Sequence, residues 1–319
     1  MMSDDYYQDG TVTLHHGDAL TVAKTLDAAS AQTIVTSPPY FGLRDYGEAG
    51  QIGAEASVGE YVGNMVALFG ELRRVLADDG TLWLNLGDSY TASLGQRKVT
   101  DKAGAKQESK RGSTGSPSTF VPGLAPKNLI GIPWRVALAL QDDGWILRSE
   151  IIWAKPNPMP ESVTDRPTKS HETIFLFAKS PRYYYDAETI KEEGKGEWNS
   201  ADGFIPEGQA NRNIEGQIGS RADAQQFGRN KRTVWTVPTV PFSAGHFAVY
   251  PPALIRPCVL AGSRMGDTVL DPFSGSGTTG MVATQEGRKY VGIDLNSDYL
   301  DLSLKTRFAQ PVLNFGDAP

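Results

Sequence analysis

Near the C-terminus the chain reads TVLDPFSGSGTTGMVATQEGRKYVGID, residues 268 to 294, and this stretch narrows the possible folds more than any other. TVLD has the apolar, β-branched character of a short buried strand, and YVGID has the same character. Between them a glycine-rich turn opens a helix, TTGMVATQEG. The three form a βαβ unit, whose parallel strands need neighbours in a larger sheet. Only one further helical stretch, NSDYLDLSL, follows. The other strands must therefore come from the N-terminal segments, so the two ends of the chain are expected to build one sheet.

Those N-terminal segments supply what is needed. TVTLHHGDAL (11 to 20) alternates apolar and polar residues before Gly17 and Asp18, as a strand running into a loop does, and AQTIV (31 to 35) is a second strand. SVGEYVGNMVALFGELRRVL (57 to 76) opens with a capping box, Ser57 and Glu60. Its Tyr61, Met65, Leu68, Phe69, Leu72 and Leu76 share one face, which predicts an amphipathic helix. ADDG is expected to stop that helix and TLWLNLGD (81 to 88) to follow as a buried strand. IPWRVALALQDDG then reads as a helix, WILRSEIIWAK (145 to 155) and ETIFLFAK (172 to 179) as strands, and PPALIRPCVLAG as the helix that leads into TVLD. Strands and helices alternate, so the fold class is α/β.

The turn DPFSGSGTTG contains G-x-G-x-x-G at Gly275, Gly277 and Gly280, and Asp294 ends the next strand, where an acid can accept from a ribose diol. A dinucleotide-dependent oxidoreductase fits that pattern. A Walker-type phosphate loop does not, because Thr278 stands where its lysine would be. Asp271, just before the glycines, would repel a pyrophosphate and favour a cationic amino-acid head group such as that of S-adenosylmethionine. It tilts the site toward a methyl donor.

After AQTIV the chain continues TSPPYFGLRDYG, Thr36 to Gly47. Pro38 and Pro39 cannot extend a strand, and each offers a carbonyl without an N–H. Ser37 and the Pro38 carbonyl can thus face an outside donor, with the flat ring of Tyr40 beside them. A strand that simply ends at two prolines is the plainer alternative.

With 319 residues and 39% hydrophobic content the chain can bury a large core. No apolar run approaches membrane length and the N-terminus is polar, so a soluble, cytoplasmic protein is expected, with no membrane partner. Cys258 is the single cysteine, which excludes an internal disulfide; it lies in an apolar helical stretch and reads as a buried structural thiol. His15, His16, His171 and His246 lack ligand spacing, so no metal is expected. The net charge of −6 argues against a nonspecific nucleic-acid coat. Locally the balance differs: residues 91 to 127 carry seven Lys or Arg against Asp101 and Glu108, in a setting of Gly, Ser, Thr and Pro, and read as a basic, mobile insertion. Residues 186 to 245 lose all periodicity and read as a separate, irregular module.

Taken together, TSPPY near one end and DPFSGSGTT near the other, joined by W-x-L-R-S-E-I-I-W-x-K-P and RPTKSHE, resemble the β-class DNA amino-group methyltransferases of restriction-modification systems. The resemblance covers roughly 11 to 90, 128 to 185 and 246 to 310. It implies a Rossmann-like, S-adenosylmethionine-dependent methyltransferase fold in circularly permuted order, with 1–90, 128–185 and 246–319 forming one catalytic domain and 186–245 an inserted target-recognition region. It further implies double-stranded DNA as substrate, S-adenosyl-L-methionine as donor and a cognate restriction endonuclease as companion. Carried onto this sequence, Ser37, Pro38, Pro39 and Tyr40 would hold and stack the acceptor base. Asp271, Phe273, Gly275, Gly277 and Thr278 would surround the methionine part of the donor, Asp294 would take the ribose, and Asp18 would lie near the adenine amine unless it only caps a helix. His246 and Phe247 would complete the donor side. Arg166, Lys169 and His171 would meet DNA phosphates, and Arg221, Arg229 and Arg232 would serve recognition. Ser at position 37 leans toward cytosine N4 rather than adenine N6; a catalytically silent DNA-binding relative is the remaining alternative.

Overall fold

A computed structural model of the chain describes residues 5–43, 48, 50–91, 121–193, 228–240 and 249–308. His246, Phe247, Arg221 and most of the basic stretch 91–127 lie outside them. Contacts divide the chain into two units, Met1–Tyr185 with Thr233–Pro319, and Asp186–Arg232.

The larger unit is built on a nine-stranded sheet. In chain order its elements are β1 (Tyr7–Gln8), β2 (Val12–His16), α1 (Ala19–Ala23), β3 (Ala31–Thr36), α2 (Val58–Val75), β4 (Leu76–Leu86), α3 (Ile132–Asp142), β5 (Ile146–Ala154) and β6 (His171–Ala178). There follow β7 (Val234–Thr236), α4 (Pro252–Gly262), β8 (Thr268–Asp271), α5 (Thr278–Gln285), β9 (Lys289–Asp294) and α6 (Ser297–Ser303). The strand order is β1-β2-β9-β8-β3-β4-β6-β5-β7. From β2 to β4 neighbours run parallel, whereas β6 is antiparallel to both β4 and β5. The expected union of the two ends is present: β2 pairs with β9, and β3 with β8.

Period-two alternation sorts the side chains of the central strands between two faces. Ile34, Leu82, Leu84 and Leu86 join the apolar core that includes Tyr61, Met65, Leu68, Phe69 and Leu72 of α2. Thr33, Thr81 and Trp83 point the other way, to the backbone of Gly262 at the end of α4. Helix α2 starts as its sequence predicts, with Ser57 Oγ accepting from the Glu60 N–H at 3.1 Å. The return bond lands one residue early: Glu60 Oε2 accepts from the Ala56 N–H rather than from Ser57.

Two boundaries differ from expectation. ADDG is not a turn outside the sheet, because β4 begins at Leu76 immediately after α2. Between the pairs Ala31↔Leu76 and Thr33↔Thr81 the register shifts, and the extra β4 residues are accommodated there as an irregularity. A Cβ at Gly80 would stand 2.6 Å from the Leu76 side chain and 2.8 Å from the Gln32 carbonyl oxygen, which explains the glycine. The second difference concerns 186–245: Val234–Thr236 pairs with β5 as the edge strand of the main sheet. Its Trp235 is buried and packs near Trp83, an anchor that a three-residue strand cannot announce by periodicity. No helix among the described residues is long and apolar enough to cross a membrane.

Candidate active site

The chain leaves β8 toward β9 on one side and β3 toward β4 on the other, so the adjacent pair β3 and β8 marks a change of direction in the sheet. In open α/β sheets such a point leaves a crevice outside the carboxyl ends of the strands. Both marked motifs begin there. Thr36 Oγ1, at the end of β3, donates to Asp271 Oδ1, at the end of β8, at 2.7 Å. A cavity of about 680 Å³ opens over this seam. Ser37, Pro38, Pro39 and Tyr40 line it from one side, and Phe273, Gly275, Thr278 and Asp294 from the other.

On the glycine side the backbone is folded to present polar groups. Gly275 has φ +50° and its N–H donates to Asp294 Oδ2 at 2.7 Å, while the Asn296 N–H donates to Oδ1 at 2.9 Å. Burial nevertheless raises the Asp294 carboxyl to about 6. Ser276 Oγ and Thr278 Oγ1 are buried with no hydrogen-bond partner among the described residues, and both residues line the cavity. Buried hydroxyls are rarely left so, and two of them on one wall ask for a polar ligand. Asp18 also lines the cavity, and its Oδ1 caps α1 by accepting from the Thr21 N–H at 2.8 Å.

Two of the residues expected on this wall sit elsewhere. Asp271 is buried at 1% exposure, and its oxygens accept from Thr36, Thr279, Tyr250 and the Phe273 N–H. Its carboxylate holds the seam together instead of facing a head group, and burial raises its pKa. Gly277 is absent from the cavity wall. With φ +77° and a Cβ position 2.8 Å from Ser303 Cβ, it is a glycine for backbone geometry and for packing beneath α6.

On the proline side, Tyr61 Oη donates to the Pro39 carbonyl at 3.0 Å and fixes the arm to α2. No donor among the described residues reaches the Pro38 carbonyl. Tyr40 rests on the strand end behind it: a Cβ at Gly87 would stand 2.4 Å from Tyr40 Cε2, so only glycine lets the ring lie there. Asn85 Nδ2 reaches Ser37 Oγ at 3.3 Å, Tyr40 Oη at 2.9 Å and Glu172 Oε2 at 3.1 Å. Glu172 in turn accepts from Tyr40 Oη at 2.7 Å and is ion-paired with Lys155. The arrangement offers acceptors for an amine's hydrogens beside a polar wall suited to a nucleoside.

The family model described as DNA methylase matches residues 31–305. This chain belongs to that DNA methylase family. It is 50% identical over 293 residues to the type II methyltransferase M.Cfr9I of Citrobacter freundii, covering 92% of this chain and 86% of that one. Similarity to M.SmaI of Serratia marcescens is 49% over 288 residues, with 90% and 87% covered. Among solved structures, the cytosine-N4-specific PvuII DNA methyltransferase aligns at TM-score 0.63 and 18% identity, over 98% of this chain and 91% of that one. TTHA0409 of Thermus thermophilus, solved with S-adenosyl-L-methionine, aligns at TM-score 0.56 and 23% identity over 95% and 96%.

In this methylase several of the residues expected to meet DNA have side-chain partners within the chain. Arg166 lies over the Tyr90 ring, 4.0 Å from its centroid, and donates to Glu161 at 2.7 Å. Lys169 is half-buried, donates to the Asp88 carbonyl at 3.1 Å and has its pKa lowered by burial. These two order the connection between β5 and β6. His171 is exposed at the start of β6, paired with Ala154. In the smaller unit, Arg229 and Arg232 both lie on Glu192 Oε2, at 3.2 and 3.1 Å. The residues that sequence reasoning missed are Asn85, Lys155 and Glu172. The last two lie within the quoted W-x-L-R-S-E-I-I-W-x-K-P and RPTKSHE segments, but only the β5–β6 register, with Trp153 opposite Glu172, brings them to the cavity.

Proposed function

We propose that this DNA methylase transfers a methyl group from S-adenosyl-L-methionine to the exocyclic amine of a base in double-stranded DNA, with cytosine N4 as the acceptor. The observation that carries it is the cavity joining Ser37 and Pro38 to the unpartnered hydroxyls of Ser276 and Thr278. The donor fits the glycine side. Asp294 accepts from its ribose hydroxyls, Ser276 and Thr278 gain the partners they lack, and Phe273 gives an apolar surface. When bound, S-adenosyl-L-methionine supplies an activated methyl on a sulfonium, so no covalent intermediate on the protein is required.

What the protein contributes is position. The target base is turned out of the duplex, because an amine inside the stack cannot reach a buried cavity. Ser37 Oγ and the Pro38 carbonyl accept the two amine hydrogens, which aims the nitrogen lone pair at the donor side. The Tyr40 ring, backed by Gly87, stacks on the base. Cytosine is favoured over adenine by Ser37 and by the likeness to a cytosine-N4-specific enzyme of the same fold. A restriction endonuclease reading the same site is the partner that the type II relatives suggest.

Mass spectrometry of nucleosides from DNA treated with the purified protein and S-adenosyl-L-methionine tests the assignment. N4-methylcytosine is expected. N6-methyladenine alone would change the base and keep the chemistry, whereas calorimetric binding of a nicotinamide dinucleotide in place of S-adenosyl-L-methionine would defeat both.

A further inference from the structure

Methyl transfer to an amine leaves a proton to be removed, and the roles above assign it no destination. As the N–C bond forms and the S–C bond breaks, the nitrogen becomes cationic. The neutral methylated amine appears only when one N–H proton departs. From Ser37 a row of polar contacts leads away from the cavity wall. Ser37 Oγ donates to Tyr40 Oη at 3.3 Å, and Tyr40 Oη donates to Glu172 Oε2 at 2.7 Å. The row runs in one direction and ends on a carboxylate.

We infer that Glu172 is the terminal proton acceptor of the reaction. The amine proton passes to Ser37 Oγ as the Ser37 hydroxyl proton moves to Tyr40 Oη and the Tyr40 proton moves to Glu172 Oε2. Both hydroxyls are restored, the methylated amine is neutral, and the carboxylate has become a carboxylic acid. The inference rests on the methyl-transfer reading of this cavity.

Several features beyond the distances suit Glu172 to the task. Lys155, ion-paired with its other oxygen, sets its side chain in place, and the Lys155 ammonium is itself seated 4.1 Å from the centroid of the Trp153 ring. Lys169 also faces it electrostatically, alongside Asp88. Tyr40 cannot compete as a base: burial and the neighbouring Glu172 hold its phenol well above the ordinary range, so it stays a neutral bridge. Asn85, touching Ser37, Tyr40 and Glu172 through one amide nitrogen, keeps the three oxygens together. The Glu172 side chain is 18% exposed, which gives the acquired proton a route to water between turnovers.

A carboxylate that merely anchors the tyrosine is the competing explanation, and glutamine separates the two because it keeps an oxygen for Tyr40 but cannot take a proton. Single-turnover methyl transfer, with S-adenosyl-L-methionine and DNA saturating at every pH, is measured against pH for wild type, Glu172→Gln, Tyr40→Phe and the double variant, with calorimetric affinities for DNA and S-adenosylhomocysteine alongside. Each single variant is expected to be slower by at least about tenfold. The double variant should be about as slow as the slower single one, because both changes cut the same row. Affinities should stay within about twofold, a change of under 0.5 kcal/mol, and the fall in rate toward acid pH should disappear in Glu172→Gln. Wild-type rates in Glu172→Gln or in Tyr40→Phe would overturn the relay, as would a slow Glu172→Gln that keeps the acid-side fall. Should Glu172→Gln fold poorly, the pH profile of Tyr40→Phe takes its place, since that variant keeps the ring: a slow Tyr40→Phe that retains the acid-side fall would overturn the relay. A wild-type protein that transfers no methyl group would remove the reading beneath the relay, an outcome distinct from all of these.

Discussion

Ser37 and Asp294 stand on opposite walls of one cavity, and the two should fail in different ways when altered. Ser37→Ala removes an acceptor for the amine while touching nothing on the glycine side. Methyl transfer should fall by at least about tenfold, roughly 1.4 kcal/mol of transition-state stabilisation, with donor affinity unchanged by calorimetry. Asp294 should instead govern donor binding and give it a pH dependence. Its carboxyl is raised by burial to about 6 in the folded protein, and ribose hydroxyls donate best to the ionised form. Binding therefore favours loss of the proton, so affinity is full above about pH 6 and weakens as pH falls below it, by up to about tenfold per unit. Asp294→Asn should bind more weakly at neutral pH and show a flat profile across the same window; a profile unchanged from wild type would place the titrating group elsewhere. Both residues were legible from the sequence because each sits in a local motif, a strand end followed by prolines or the end of the strand after a glycine turn. Asn85 and Glu172 were not, since each is an ordinary residue inside a strand and acquires a role only through pairing with segments up to 132 residues away.

At the scale of elements, patterning located nearly every helix and strand of the larger unit, because apolar periodicity is a local property that burial enforces. The expectations that moved were those set by long-range contact: the start of β4, and the edge strand β7. Helix α4 shows how such contacts also fix residue size. A Cβ on Gly262 would stand 2.6 Å from Thr33 Oγ1, 2.8 Å from Thr81 Oγ1 and 3.0 Å from Trp83 Nε1. The two threonines hydrogen-bond each other at 3.0 Å, and Trp83 donates to Thr81 at 3.2 Å, so none of the three can retreat without cost. Nothing in the helix itself demands glycine, since Gly262 is not among the residues of positive φ. Gly262→Ala should therefore destabilise the fold by about 1–3 kcal/mol through overpacking, read as a lowered denaturant midpoint with an unchanged slope. The cavity lies at the strand ends, away from this contact, so donor affinity at a temperature where the variant is folded should match wild type. A stability equal to wild type would mean that α4 shifts freely over the sheet.

At the scale of the whole molecule, the chain divides into two compact units. Every described residue lining the cavity belongs to the larger unit, whose two ends meet in the pairs β2–β9 and β3–β8. Asp186–Arg232 forms the smaller unit, and its sequence lacks the apolar periodicity of a core while carrying Arg, Asn and Gln, the side chains suited to base edges. Within it Arg229 and Arg232 share Glu192, an arrangement that holds two guanidinium groups side by side. We propose that this unit selects the DNA sequence. Replacing residues 186–232 with the corresponding region of a relative should leave S-adenosyl-L-methionine affinity unchanged, because no donor contact is exchanged, while moving methylation to a different site, read by sequencing methylated positions in a mixed DNA substrate. A chimera that binds donor and methylates the original site would assign recognition to the larger unit, with the basic stretch 91–127 the first place to look. Loss of methylation together with loss of donor binding would instead show that the smaller unit is needed for the fold of the larger one, against the separation argued from the contacts.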